Sequence, residues 1–244
     1  MIRFVPETGS TNADLLAALR AGERVAEGDW LVADRQTAGR GRQGREWFDG
    51  AGNFMGSTIV RLAPGDPPPA SFALAVGLAV FEAVIPLLPD PAPLQLKWPN
   101  DLTFAGAKLA GILLERESEA LVAGIGVNLA HAPGIEGRAT VALSALGPAP
   151  SRDLFAAALA ASFATELERW RSYGLDPLAR RWQAAAHPPG TPLTVTPPGE
   201  APVTGAFDGL TEDGALRLRL ADGAMRVMHA GDVFFATATT PGKG

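Results

Sequence analysis

Four short apolar runs follow one another through the middle of the chain: Leu94 to Trp98, Leu102 to Phe104, Leu109 to Glu115 and Ala120 to Val127. The gaps between them are far shorter than a parallel crossover needs, so the runs predict antiparallel pairing. Ala105-Gly106 reads as a tight turn inside this sheet. Further strands are predicted at Ile2 to Val5, Trp30 to Ala33 and Phe54 to Leu62. A helix is predicted over Ala13 to Arg20, where Leu15, Leu16 and Leu19 share a face behind Ser10-Thr11-Asn12. Ser71 to Ile85 is apolar around most of its circumference, as a helix crossing the core would be. The wider stretch Ala70 to Leu88 is broken by Glu82 and Pro86, so it reads as a buried helix rather than a membrane span.

Ser151-Arg-Asp opens a long helix through about Ser172, and Pro177 to Ala186 gives a shorter one. The chain then changes character at His187-Pro-Pro-Gly, which reads as a linker. Beyond it, Leu193 to Thr196, Val203 to Asp208, Ala215 to Leu220, Ala224 to Met228 and Val233 to Ala236 are short strands separated by glycine turns, which suggests a small barrel. The expected fold class is therefore α+β, a mixed and mostly antiparallel sheet flanked by helices over residues 1–187 and an all-β unit over 188–244. No internal repeat is visible.

Charge excludes some partners. With 21 basic and 26 acidic residues the net charge is -5, so no global positive field exists to hold a nucleic acid or an anionic membrane, and any anion must be met by a local cluster. The chain has no cysteine, which excludes disulfides, thiolate metal sites and a cysteine nucleophile and suits a reducing cytoplasm. His131, His187 and His229 lack metal-ligand spacing. Lysine occurs only at Lys97, Lys108 and Lys243, and two of the three lie close together in mid-chain, where a compact ammonium has uses that a planar guanidinium does not.

The densest signal is Gly39-Arg-Gly-Arg-Gln-Gly-Arg-Glu-Trp47, which with Arg35 gathers Arg40, Arg42 and Arg45 in a polar glycine-rich loop spanning Arg35 to Gly52. Glycine lets backbone N–H groups approach a ligand and arginine supplies forked donors matched to phosphate oxygens, so the loop reads as an anion cradle, with a merely solvated loop as the alternative. Its letters also fit a dinucleotide fingerprint and a P-loop frame, but both fail on context. Arg45-Glu46 stands where a P-loop needs lysine and a hydroxyl, and Trp47-Phe-Asp-Gly continues a loop where a helix should open.

Ser10, Thr11 and Asn12, with Gln36, offer donors and acceptors suited to a small neutral polar head such as a ureido ring, although Ser-Thr-Asn before a helix also reads as a simple cap. Lys97-Trp-Pro-Asn-Asp sets Asn100 beside Asp101, and Lys108 follows on the next strand. Lys108 is the choice for the reacting centre, where its ammonium could neutralise an attacking carboxylate and charge growing at phosphorus; a structural ion pair is the alternative. Gly124-Ile-Gly-Val-Asn128 ends a strand with small residues, and Asn128 could bond a ribose, a phosphate or a loop carbonyl. No G-x-S-x-G, H-E-x-x-H or P-C-x-x-C motif is present.

The order of Ser-Thr-Asn, Gln-Thr-Ala-Gly-Arg-Gly-Arg-x-Gly-Arg-x-Trp, Lys-Trp-Pro-Asn-Asp, Lys-Leu-Ala-Gly-Ile-Leu-x-Glu and Gly-x-Gly-x-Asn resembles the biotin protein ligases, which biotinylate acetyl-CoA carboxylase. The segment from Gly205 to Leu218 resembles their C-terminal SH3-like barrel. The resemblance implies a class II synthetase-like catalytic domain, ATP and biotin as substrates, Mg2+, and the biotin carboxyl carrier domain as partner. It also implies that biotin's own carboxylate attacks the α-phosphate of ATP, and that a lysine of the acceptor then attacks biotinyl-5′-AMP.

Carried over by motif, Ser10, Thr11, Asn12 and Gln36 would bind biotin, Arg40, Gly41 and Arg42 would close over the adenylate phosphate, and Lys108 would meet the biotin carboxylate. Arg45, Trp47, Asn100, Asp101 and Asn128 would serve ATP or the adenylate, with Asn100 or Asp101 beside Mg2+. The catalytic motifs start at Ser10, so no operator-binding function is expected, and Gln43 replaces a basic residue that some relatives carry. Family members often dimerise through the sheet, which admits a homodimer. Lipoate ligase is the enzyme rival and a non-catalytic binder is the other. The arginine loop with the C-terminal unit weighs against the first, and the presence of Lys108 weighs against a catalytically dead sensor.

Overall fold

The computed structural model describes residues 1–236. Lys243 and the rest of 237–244 lie outside the described residues. In chain order the elements are β1 (Ile2–Thr8), α1 (Thr11–Arg20), β2 (Trp30–Gln36), β3 (Phe54–Arg61), α2 (Phe72–Val84), β4 (Leu94–Lys97), β5 (Asp101–Phe104), β6 (Ala107–Glu117) and β7 (Ala120–Val127). Then come α3 (Arg152–Tyr173), α4 (Leu175–Ala185), β8 (Pro192–Thr196), β9 (Val203–Leu210), β10 (Leu216–Arg219), β11 (Met225–Met228) and β12 (Asp232–Phe235).

The first seven strands form one sheet in the order β1-β2-β3-β7-β6-β5-β4. Only β1 and β2 pair in parallel, and helix α1 between them is the crossover that such a pair requires. The other pairs are antiparallel, as the close spacing predicts. Ala105 and Gly106 both have positive φ, 48° and 80°, the backbone a two-residue hairpin needs to match strand twist.

Alternation along the strands sends side chains to two cores. Trp30, Val32, Phe54, Val60, Leu121 and Ile125 face α2 and α3 in the main core, while Leu31, Ile59 and Val122 face Leu15 and Leu16 of α1 in a smaller one. The helices join the main core through aromatic edges. Trp30 meets Phe163 at 5.3 Å between ring centroids, Phe163 meets Phe72 at 5.6 Å, and Trp170 Nε1 donates to Ser71 Oγ at 2.9 Å. Residues Pro69–Leu87 are long and apolar enough to cross a membrane by composition. Ten of the thirteen residues of α2 are nevertheless buried between the sheet and α3, which accounts for that composition within the fold. Truncating one of them, as in Leu78→Ala, would cost about 2–5 kcal/mol.

The last five strands form an antiparallel sheet in the order β11-β10-β9-β8-β12, the SH3-like unit. The junction before it differs from the expected spacer. His187 is 1% exposed, with its ring 4.3 Å from Phe207 and 5.6 Å from Phe235 between centroids, and only Pro188–Gly190 form an exposed turn. Aromatic packing draws the imidazole inside, and apolar side chains of the second sheet, Val195, Phe207, Leu216 and Val233 among them, are continuous with the main core.

Candidate active site

One cavity of about 660 Å³ opens between the start of α1, the faces of β6 and β7, the arginine loop and the turn before β12. Every residue carried over by motif lines it, from Ser10 to Asn128, whereas Arg35 of the expected cradle does not.

At its closed end Ser10 caps α1, its side chain accepting from Ala13 N at 3.4 Å. Thr11 and Asn12 do more than cap. Thr11 donates N–H (2.7 Å) and Oγ1–H (2.9 Å) to Gln36 Oε1, which leaves the Gln36 Nε2 protons to donate elsewhere. Asn12 Oδ1 accepts from Ser57 Oγ at 2.6 Å, and its Nδ2 donates to Glu115 Oε2 at 2.8 Å. Gly124 lies directly beneath, where any Cβ would overlap the Asn12 amide. The result is a buried, neutral, oriented set of amides and hydroxyls.

The arginine loop, an open polar stretch by sequence, is a closed hairpin here. Trp47 N donates to Gly39 O at 2.9 Å, Gly41 N donates to Arg45 O at 2.7 Å, and Arg40 bridges to Glu46. The tip turns through a 3-10 segment, Arg42–Gly44, with Gln43 and Gly44 at positive φ. Arg40 is exposed at the rim of the cavity. Arg42 reaches Asn100 Oδ1 at 3.0 Å and Gly231 O at 3.4 Å; burial lowers its pKa, with Asp232 and Asp101 opposing. Arg45 pairs with Asp232 through both carboxylate oxygens.

Behind the loop, Lys108 Nζ sits 2.6 Å from Asp101 Oδ1, with side chains 16% and 12% exposed. Trp47 covers this pair, its ring centroid 5.5 Å from Nζ. The indole fits only because the strands below carry glycine: a Cβ on Gly126 would overlap it, and one on Gly111 would lie 2.8 Å away. Asn100 Nδ2 donates to Ile112 O at 2.7 Å. Asn128 commits its amide to carbonyls, of Lys108 at 3.3 Å and Val141 at 3.2 Å, and so fixes the strand that carries the lysine. Lys97 lies over the rings of Phe234 and Phe235, and burial pushes its pKa down.

Four participants escaped the sequence reading. Ser57 and Glu115 orient Asn12, and Gly231 and Asp232 hold the arginines. Glu115 closes the Lys-Leu-Ala-Gly-Ile-Leu-x-Glu motif and was open to detection, whereas no local pattern marks Ser57 or Asp232. No cluster of three or more metal-ligating side chains exists among the described residues.

This geometry is a neutral polar pocket and a cationic one joined in a single cavity. Residues 7–130 match the model of the biotin/lipoate A/B protein ligase family, and residues 192–236 match the biotin protein ligase C terminal domain. The biotin–[acetyl-CoA-carboxylase] ligase of Paracoccus denitrificans is 38% identical over 243 residues, covering 95% of this chain and 99% of its own. The chain belongs to the biotin protein ligase family. The corresponding ligase of Mycobacterium tuberculosis is 38% identical over 235 residues, with 94% of this chain and 86% of its own covered. A solved biotin protein ligase of Aquifex aeolicus, in complex with biotin and ATP, superposes with a TM-score of 0.84 at 25% identity, covering 96% of this chain and 99% of that one. The first ligase match runs from the end of β1 through β7 and takes in every cavity residue named above except Gly231, Asp232 and Phe234; the second spans β8 to β12.

Proposed function

We propose that this cavity joins biotin to ATP as biotinyl-5′-AMP and passes the biotin to a lysine of the biotin carboxyl carrier domain of acetyl-CoA carboxylase. The observation that carries the reading is the pairing of an oriented neutral pocket at Thr11, Asn12 and Gln36 with the Lys108 ammonium and the Arg42 guanidinium in one cavity. A ureido ring needs neutral donors and acceptors, and a triphosphate needs fixed cations. No protein nucleophile is required. A biotin carboxylate oxygen forms a bond to the α-phosphorus, the bond to the leaving phosphate oxygen breaks, and pyrophosphate departs.

In that step Lys108 neutralises the carboxylate and the charge growing at phosphorus, while Arg40 and Arg42 close over the phosphate with the Gly41 backbone. Arg45 and Trp47 hold the loop shut, which excludes water from the mixed anhydride. In the second step the neutral amine of the carrier lysine bonds to the acyl carbon, AMP leaves, and the amine's extra proton is lost. Asn100 and Asp101 face the phosphate end. Asp101, which has one oxygen bonded to Lys108, and Asn100, whose oxygen accepts from Arg42, would be the residues beside a Mg2+ at that end. Bound there, Mg2+ supplies neutralisation of the triphosphate.

The reading assigns residues 1–187 to the catalytic domain and 188–244 to the SH3-like domain, in a cytoplasmic enzyme. The net charge of -5 supports neither nucleic acid nor a membrane as partner. Mass spectrometry of a purified carrier domain incubated with the enzyme, biotin and Mg-ATP tests the whole sequence. One added biotin on the carrier lysine is expected; an unmodified carrier beside accumulated adenylate would overturn the acceptor assignment.

A further inference from the structure

The tip of the arginine loop is tied down by the opposite end of the chain. Arg45 Nη1 donates to Asp232 Oδ1 at 3.0 Å, and its Nη2 meets the other carboxylate oxygen. Next to it, Arg42 Nη2 reaches the carbonyl of Gly231 at 3.4 Å. Among the described residues, the only other side-chain tie from the tip to the body of the protein is Arg42 to Asn100. Two guanidiniums of one loop therefore end on Gly231, in the turn before β12, and on Asp232, the first residue of β12.

We infer that Asp232 is the positioning residue that keeps the arginine loop folded over the cavity, so that the C-terminal sheet governs how long the adenylate is retained. This deepens the ligase reading and rests on it. An ordinary exposed ion pair contributes little, but this one differs in three respects. It is bidentate, which fixes the guanidinium plane as well as its distance. Its carboxylate is only 17% exposed and stands at the first residue of β12, paired to Thr196 of β8. The anchor itself cannot drift, because a Cβ on Gly231 would lie 2.9 Å from Val195 Cγ1 and 3.0 Å from Thr196 O, so the turn lies hard against β8.

The charges agree with this arrangement. The hydrogen bond from Arg45 holds the Asp232 carboxyl below its usual range, and the same bond raises Arg45. What the anchor protects is the seat of Trp47 over Gly126 and Gly111, which covers the reacting end of the cavity. With the tip released, the hairpin would keep its internal hydrogen bonds but lose its fixed orientation over the mixed anhydride.

The test measures the first-order loss of preformed biotinyl-5′-AMP without carrier, in wild type, Asp232→Asn and Asp232→Glu, with tryptic cleavage in the loop and the thermal midpoint measured in parallel. Asp232→Asn should lose adenylate about tenfold faster, as removal of a charged hydrogen-bond partner implies, and should be nicked faster between Arg40 and Arg45 at an unchanged midpoint. Asp232→Glu should stay near wild type. Retention of adenylate by Asp232→Asn at the wild-type rate overturns the inference. Should the Asn variant not fold, Asp232→Ser takes its place, and failure of both to fold would make Asp232 a folding residue and overturn the inference as well. A wild type that makes no adenylate would instead sink the ligase reading.

Discussion

Lys108 and Asp101 face each other across the β5–β6 hairpin, ammonium to carboxylate at 2.6 Å, under the Trp47 indole. The pairing holds the ammonium in place before any substrate arrives, so its charge needs little reorganisation when the biotin carboxylate enters. Lys108→Ala should cut biotin-dependent pyrophosphate release by about 100- to 1,000-fold, the range for removal of one preorganised electrostatic donor. Circular dichroism should show an intact fold, with stability lowered by about 1–3 kcal/mol because Asp101 loses its partner. Lys108→Arg should not restore turnover, since the planar guanidinium is larger and differently hydrated. Near-normal turnover in Lys108→Ala would remove the lysine from the mechanism.

Gly126→Ala should leave the sheet intact and lift the loop. The added methyl overlaps the Trp47 indole, and an overpacking cost of about 1–3 kcal/mol should appear as weaker ATP binding in the presence of biotin. Calorimetric titration reads this directly. Unchanged ATP affinity would mean that Trp47 does not close the site.

Glu115→Leu should raise the KM for biotin about tenfold with kcat nearly unchanged, because Asn12 then loses the charged acceptor that fixes its amide. Glu115→Gln retains a carbonyl acceptor and should restore the KM. A fall in kcat at constant KM would place Glu115 elsewhere in the mechanism.

Much of the site was legible because its motifs are local. Ser10 caps the helix that follows it, Ala105-Gly106 turns the hairpin that sets Lys108 against Asp101, and the paired glycines of β7 sit within one strand. What was not legible depends on partners far along the chain. Asp232 meets Arg45 across 187 residues, and Ser57 meets Asn12 across 45; neither leaves a mark on its neighbours. Strand ends were lost for a different reason. Beyond Ala33 the side chains Asp34 and Arg35 are exposed, so the apolar signal stops, while the ladder continues through Glu7 to Arg35 and Thr8 to Gln36. The exposed Pro-Pro-Gly after His187 gives the whole segment the composition of a linker, yet the His187 ring belongs to the core.

That burial predicts acid sensitivity. His187 has both ring nitrogens without partners among the described residues, and burial, helped by the Lys97 charge, pushes its pKa down from 6.5 to about 4. The folded state thus refuses a proton that the unfolded state accepts. The stability present above pH 6.5 is lost as pH falls from 6.5 toward 4, by about 3 kcal/mol in all. Denaturant melts of His187→Leu and wild type should diverge over that window, the variant losing less. Parallel pH profiles would show that the imidazole titrates freely.

The most direct measurement is pyrophosphate release from Mg-ATP with biotin, lipoate or octanoate as the only acid. Release with biotin alone, leaving biotinyl-5′-AMP on the enzyme, is the predicted result. Release with lipoate or octanoate but not biotin would keep the fold and contradict the substrate assignment, and silence with all three would contradict the ligase account itself.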